Sequence, residues 1–196
     1  MSESRKTVPS GPPAAVLEAR RRGELLVSRE AVERAMDRLA IRMSLRLHDR
    51  DPLLLVVMHG ALPFAGALLP RLDFPLQVSH VHVGRYGDAT RGGTLHWLAR
   101  PDQGLAGRTV VLVDDVLDRG ETLAELTRWV TEAGAAEVLS AVLVDKALPG
   151  PRPVVADFVA LECPDRYLFG WGMDFRGYWR NLPAIYALPD DLVEET

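Results

Sequence analysis

Two adjacent carboxylates, Asp114 and Asp115, follow the unbroken apolar run Val110 to Val113, and after Val116 and Leu117 comes the short segment Asp118-Arg119-Gly120-Glu121-Thr122. An apolar run of that kind reads as a strand buried on both faces, which leaves the acidic pair at its C-terminal end. Open α/β sheets bind their ligands at that end. Beyond the segment, Leu123, Leu126 and Val130 recur at helical spacing, so the loop opens onto a helix N-terminus whose amides and positive dipole end suit a phosphate. Read alone, the same residues also describe a buried strand with solvated aspartates before a capped helix.

The elements that must position these groups are legible around them. Ser28 is a suitable N-cap, and Val32, Met36, Leu39 and Met43 draw one apolar stripe, which predicts an amphipathic helix to about Leu47. Leu53 to Met58 is a second buried strand, His59-Gly60 a tight turn, and Phe64, Leu68 and Leu69 mark the helix after it. A glycine at a strand-to-helix turn lets backbone approach an anion closely. Leu76 to Val83 is strand-like, and Gly84, Gly87, Gly92 and Gly93 around Arg85, Tyr86, Asp88 and Arg91 form a polar loop that by its residues is a surface hairpin. Val138 to Val144 is a further apolar strand ending in Asp145-Lys146, and the proline-rich LPGPRPVV is a connector.

Composition narrows the classes. A chain of 196 residues with 47% hydrophobic content holds one sizeable core. Residues 1–13 have little to bury and are expected to be a disordered tail ahead of a single domain at 14–196. A net charge of −4 with mixed signs gives no basic field for nucleic acid. A single cysteine, Cys163, excludes an intramolecular disulfide framework and fits a reducing compartment. No apolar run spans a membrane and the start lacks the core of a secretory signal, so a cytoplasmic enzyme is expected.

The segment around Asp114 and Asp115, the loop at His59-Gly60, the strand end at Lys146 and the stretch Asp157 to Leu188 together resemble, in the same order, the motifs of the hypoxanthine-guanine phosphoribosyltransferases. The fold this resemblance implies is α/β, a type I phosphoribosyltransferase-like, Rossmann-like parallel sheet flanked by helices, with a small hood made by the chain ends. The implied substrates are phosphoribosyl pyrophosphate and a 6-oxopurine, with Mg²⁺ as cofactor and a homo-oligomer, dimer or tetramer, as the assembly. Asp114 and Asp115 would hold the ribose hydroxyls, and Arg119, Gly120, Glu121 and Thr122 would surround the 5′-phosphate. His59, Gly60 and Arg180 would meet the pyrophosphate, across a loop that in the family commonly carries a cis non-proline peptide. Val116 and Tyr167 would sandwich the purine, Leu168 would contact its edge through backbone, and Lys146 would donate to its 6-oxo group. Arg85 and Tyr86 would belong to a lid, and Asp174 would position Mg²⁺ through water. Asp118 would be the general base that takes the N7 proton as N9 attacks C1 of the ribose.

Four departures from the family pattern stand in this chain: His59 for Lys or Arg, Arg85 for the Ser before the lid Tyr, Asp114 for the more frequent Glu, a substitution also common in other phosphoribosyltransferases, and Arg119 for Thr, where a guanidinium either serves the 5′-phosphate or points to solvent. A xanthine-preferring 6-oxopurine enzyme would share every motif. A phosphoribosyltransferase-like nucleotide-sensing regulator and a receiver domain phosphorylated on an aspartate are the readings from other classes. The second of these leaves Lys146, Tyr167 and Arg180 without roles.

Overall fold

The computed structural model describes residues 11–85, 95–101 and 103–193. A six-stranded sheet in the order β4-β3-β2-β5-β6-β7 forms its centre. The strands are β2 (Leu53–Met58), β3 (Gln77–Arg85), β4 (Leu95–Ala99), β5 (Thr109–Leu117), β6 (Glu137–Ala147) and β7 (Phe158–Pro164). All neighbours pair in parallel except β4, which runs antiparallel to β3 at the edge.

Both faces of this sheet are covered, which is why its central strands read as continuous apolar runs. Alternate residues serve opposite cores: Leu54, Val56, Val111 and Val113 face one, and Leu53, Leu55, Val110 and Leu112 the other. On the first face lie α2 (Arg29–Leu47), through Val32, Met36, Leu39 and Met43, and α3 (Leu62–Leu68), through Phe64 and Leu68. Ser28 caps α2 as its sequence predicts, its hydroxyl accepting from the Ala31 amide at 3.3 Å. On the second face lies α4 (Glu121–Glu132), through Leu123, Leu126 and Val130. Each fully buried leucine contributes roughly 1.5–3 kcal/mol of transfer free energy, so this two-sided burial fixes the sheet that carries the loops.

A second, three-stranded antiparallel sheet, β1-β9-β8, forms a hood. It joins β1 (Glu24–Val27), β8 (Leu168–Phe169) and β9 (Ile185–Ala187), so segments near the two chain ends pair directly, Glu24 with Ala187 and Val27 with Ile185. The helix α1 (Ala14–Arg22) buries Val16 and Ala19 in a small core with Phe169, Phe175 and Leu188. Trp179 fastens this corner by donating from Nε1 to the Val16 carbonyl at 2.7 Å. Among the described residues no helix is long and apolar enough to cross a membrane.

Several boundaries differ from the sequence expectation, and all in one direction. Strand β5 continues to Leu117, so Asp114 and Asp115 lie inside the strand, and β6 likewise includes Asp145 and Lys146. Parallel pairing of Asp114 with Val142 and of Leu117 with Asp145 carries the ladder past the apolar run. Backbone hydrogen bonding, unlike hydropathy, does not stop at a charged side chain. The expected loop from Gly84 also begins later, because Gly84 and Arg85 pair with His96 and Leu95.

Candidate active site

The C-terminal edge of the parallel sheet and the hood enclose a cleft of about 1020 Å³. Strand β5 and the turn after it supply one wall, with Asp114, Asp115 and Val116 followed by Asp118 and Arg119. Gly120, in the left-handed region at φ +79°, turns the chain into α4, whose first residues Glu121 and Thr122 also line the cleft. That conformation favours glycine. The positive end of the α4 dipole is thereby placed at the cleft, an arrangement that suits an anion.

Asp115 is buried and Asp114 half-buried, and the Asp115 amide donates to Asp114 Oδ1 at 3.0 Å. Burial pushes the Asp114 carboxyl well above the usual carboxylate range, and the neighbouring Asp115 charge pushes it further. Burial also raises Asp115, against the opposing pull of its hydrogen bond with Asp114 and of the Arg180 charge. Two acids crowded together out of water hold a proton more readily than either alone.

The end of β2 closes against this pair. The peptide between Met58 and His59 is cis; the bond preceding His59 is thus the cis one, and not the His59-Gly60 bond. A Cβ on Gly60 would stand 2.3 Å from Asp115 Oδ2, and a Cβ on Gly172, at φ +101°, would stand 1.9 Å from the Gly60 carbonyl oxygen. The β2 turn, β5 and the hood therefore meet at a point where only glycines fit. His59 lines the cleft and its ring stands edge-on to His82, centroids 4.3 Å apart. His82 is pulled below its ordinary value by burial and then by the charges of His59 and His80.

The hood brings Tyr167, Leu168, Asp174 and Arg180 to the same cleft. Arg180 donates to the Gly172 carbonyl and pairs with Asp174 Oδ1, each at 2.5 Å, while Asp174 Oδ2 accepts from the Gly177 amide at 2.6 Å. Tyr167 packs edge-to-face on Phe175 at 5.9 Å. Its phenol is raised by burial and then by the Asp174 charge.

At the end of β6, Lys146 donates from Nζ to Asp118 Oδ2 at 2.7 Å, with the lysine side chain 11% exposed and the aspartate 47%. A cationic donor and an anionic acceptor thus stand side by side at the rim of the sheet. Arg152, from the connector, reaches the same rim from behind, 2.5 Å from Asp145 Oδ1.

Of the residues singled out by sequence, those on β2, β5, α4, β6 and the hood share one cleft. Arg85 ends β3, and Tyr86 lies outside the described residues. Sequence reasoning passed over Gly172, His82 and Arg152. His82 meets His59 only once β2 and β3 pair, with His82 opposite Met58. For Gly172 and Arg152 no local pattern distinguishes them, since each acts across the chain.

The family model described as a phosphoribosyl transferase domain matches residues 24–176. The hypoxanthine-guanine phosphoribosyltransferase of Bacillus subtilis is 30% identical over 172 residues, covering 87% of this chain and 96% of that protein. The protein of the same name from Streptococcus pneumoniae is 28% identical over 170 residues, or 86% and 94% of the two chains. Among solved structures, a hypoxanthine-guanine-xanthine phosphoribosyltransferase aligns with a TM-score of 0.77 at 26% identity, over 85% of this chain and 97% of that one. A hypoxanthine phosphoribosyltransferase from Staphylococcus aureus shares the fold, with a TM-score of 0.80 at 23% identity over 86% and 92% of the chains.

Proposed function

The chain belongs to the hypoxanthine-guanine phosphoribosyltransferases of the phosphoribosyl transferase domain family, and from that premise we propose that it moves a 5-phosphoribosyl group from phosphoribosyl pyrophosphate to N9 of hypoxanthine or guanine. The products are IMP or GMP and pyrophosphate, and the role is purine salvage in the cytoplasm.

The observation that carries this reading is the Asp118–Lys146 pair at 2.7 Å. A 6-oxopurine presents a C6 oxygen acceptor next to its N7 position on one edge, so neighbouring donor and acceptor side chains match that edge when the purine parts them. Lys146 donates to the 6-oxo oxygen, and Asp118 accepts the N7 proton as N9 bonds to C1. Adenine puts a donor where Lys146 needs an acceptor, which rejects it. Tyr167 stacks on the purine from the hood with Val116 on its other face, and Leu168 meets its edge through backbone.

Asp114 and Asp115 accept from the ribose hydroxyls and lower the energy of the oxocarbenium-like sugar as C1 loses pyrophosphate. Gly120, Glu121 and Thr122 hold the 5′-phosphate at the start of α4, and Arg119 adds a guanidinium there. His59, Gly60 and Arg180 receive the pyrophosphate, and a lid over the sugar, assigned to Arg85 and Tyr86 by resemblance alone, would keep water from its cation.

The residues present suit Mg²⁺. The cleft offers the carboxylate of Asp174, and a hard cation such as Mg²⁺ takes only one or two carboxylates, its other oxygens coming from phosphate and water. Asp174 would hold it through water. Bound there, Mg²⁺ supplies positive charge that offsets the charge of departing pyrophosphate.

Pyrophosphate release measured with hypoxanthine, guanine, xanthine and adenine in turn, with and without Mg²⁺, tests the reading. Metal-dependent release with hypoxanthine or guanine and none with adenine is expected; release with adenine alone would overturn the assignment of Lys146. Dominant release with xanthine selects the xanthine-preferring enzyme instead. Sedimentation of the pure protein reads out the homo-oligomer, dimer or tetramer.

A further inference from the structure

We propose that Arg152 is a positioning residue for the purine half of the site, holding Asp118 and Lys146 in register from behind. The inference rests on the reading of that pair as the purine-edge contact.

Arg152 lies in the proline-rich connector between β6 and β7, outside the cleft lining. Its Nη1 is 3.3 Å from each of three carbonyl oxygens, those of Leu117, Asp118 and Lys146, and 2.5 Å from Asp145 Oδ1. One guanidinium nitrogen carries two hydrogens and cannot serve four acceptors at full strength. The charge-assisted bond to Asp145 is the anchor, and the carbonyls share what remains. The arginine side chain is 19% exposed and that of Asp145 17%, so the cluster is largely shielded from water. Asp118 and Lys146 thus meet through their side chains on the cleft side, while their own carbonyls converge on a single cation on the far side.

The neighbouring residues extend the same back wall. Val154 Cγ1 would stand 3.1 Å, and Pro153 Cδ 3.7 Å, from a Cβ placed on Gly120. The ladder between β5 and β6 stops at Leu117 and Asp145, while β6 stays paired with β7 on its other side through Lys146 and Ala147. Past that point no strand pairing sets the distance between the base and the lysine. A cation bonded to both backbones supplies the constraint.

The test is steady-state kinetics of the full chain with hypoxanthine and phosphoribosyl pyrophosphate varied separately, in Arg152→Gln, Arg152→Lys, Asp145→Asn and Lys146→Met. Arg152→Gln is expected to lower kcat/KM for hypoxanthine by about tenfold to the roughly hundredfold that a misplacement of about 1 Å costs. Its KM for hypoxanthine rises while its KM for phosphoribosyl pyrophosphate stays within about twofold. Asp145→Asn reproduces that split by releasing the anchor, and Arg152→Lys, which keeps the ion pair, recovers part of the activity. A variant that is merely less folded loses kcat with both KM values unchanged, and that result overturns the proposal, as does an equal rise in both. If Arg152→Gln does not fold, the same split is read in Arg152→Lys and Asp145→Asn, where wild-type KM values overturn it. Lys146→Met separates the two levels. A raised hypoxanthine KM there with none in the Arg152 variants sinks only the role of Arg152, whereas no change in Lys146→Met sinks the purine-edge reading and the proposal with it.

Discussion

The two walls of the cleft are built in opposite ways. The β5–α4 wall is one contiguous run, Asp114 to Thr122, in which a strand, a turn and a helix start follow each other in sequence. The hood wall has no such continuity. Its residues from Tyr167 to Arg180 ride on tight turns with Gly170, Gly172 and Gly177 at positive φ, and with Trp171, Arg176 and Trp179 there as well. Those turns are held by β1 and α1, which arrive from the other end of the chain. The first wall is rigid because it continues a buried sheet; the second is rigid only while distant segments stay docked. Changes in the first wall should therefore affect chemistry with little loss of stability, and changes in the hood should affect both.

The largest effect expected tests the first half of that contrast. Asp118→Asn removes the proposed base and should reduce turnover by roughly 10²–10⁴-fold while IMP affinity and melting temperature stay near wild type. Turnover within a few-fold of wild type would remove Asp118 from the chemistry. Gly172→Ala tests the second half. Its Cβ would meet the Gly60 carbonyl oxygen at 1.9 Å in a backbone conformation at φ +101°, and such strain costs roughly 1–3 kcal/mol. Melting temperature and kcat/KM for phosphoribosyl pyrophosphate should fall together; a loss of activity with unchanged melting would mean the two walls do not differ in this way.

Tyr167→Ala should be milder. It removes a stacking surface worth about 1–3 kcal/mol, read as a raised KM for hypoxanthine with little change in the KM for phosphoribosyl pyrophosphate.

The smallest effect is on stability against pH. Burial and then mutual charge raise the Asp114 carboxyl above the value it has in the unfolded chain. The folded state consequently binds more protons between the ordinary carboxylate range and that raised value. Stability is present in full below the unfolded value and is lost as pH rises through the folded one. Asp114→Asn removes the Asp114 share of this dependence and leaves that of buried Asp115, so the variant without ligand should melt above wild type at neutral pH. The gain should be about 2–4 °C for each kcal/mol relieved, and the curves should converge in acid. Identical melting of the two proteins at every pH would show that burying the pair has no cost, and would place the first wall's rigidity elsewhere.

What the sequence determined by itself is whatever one strand, turn or helix encodes locally. Continuous apolar runs set the central strands, helical spacing set α2 and α4, the Ser28 cap set the start of α2, and the order of Asp114, Asp115, Gly120 and Thr122 set one wall of the cleft at a strand end. Tertiary structure decided the rest. Pairing across strands extended β5 and β6 through their charged ends. Docking of the chain ends made the hood, and the approach of Gly60, Asp115 and Gly172 joined it to the sheet. The convergence of Asp118, Lys146 and Arg152 likewise appears in no window of the chain. Periodicity reports which face of an element is buried, but distances between elements follow from packing and hydrogen bonds among residues far apart in sequence.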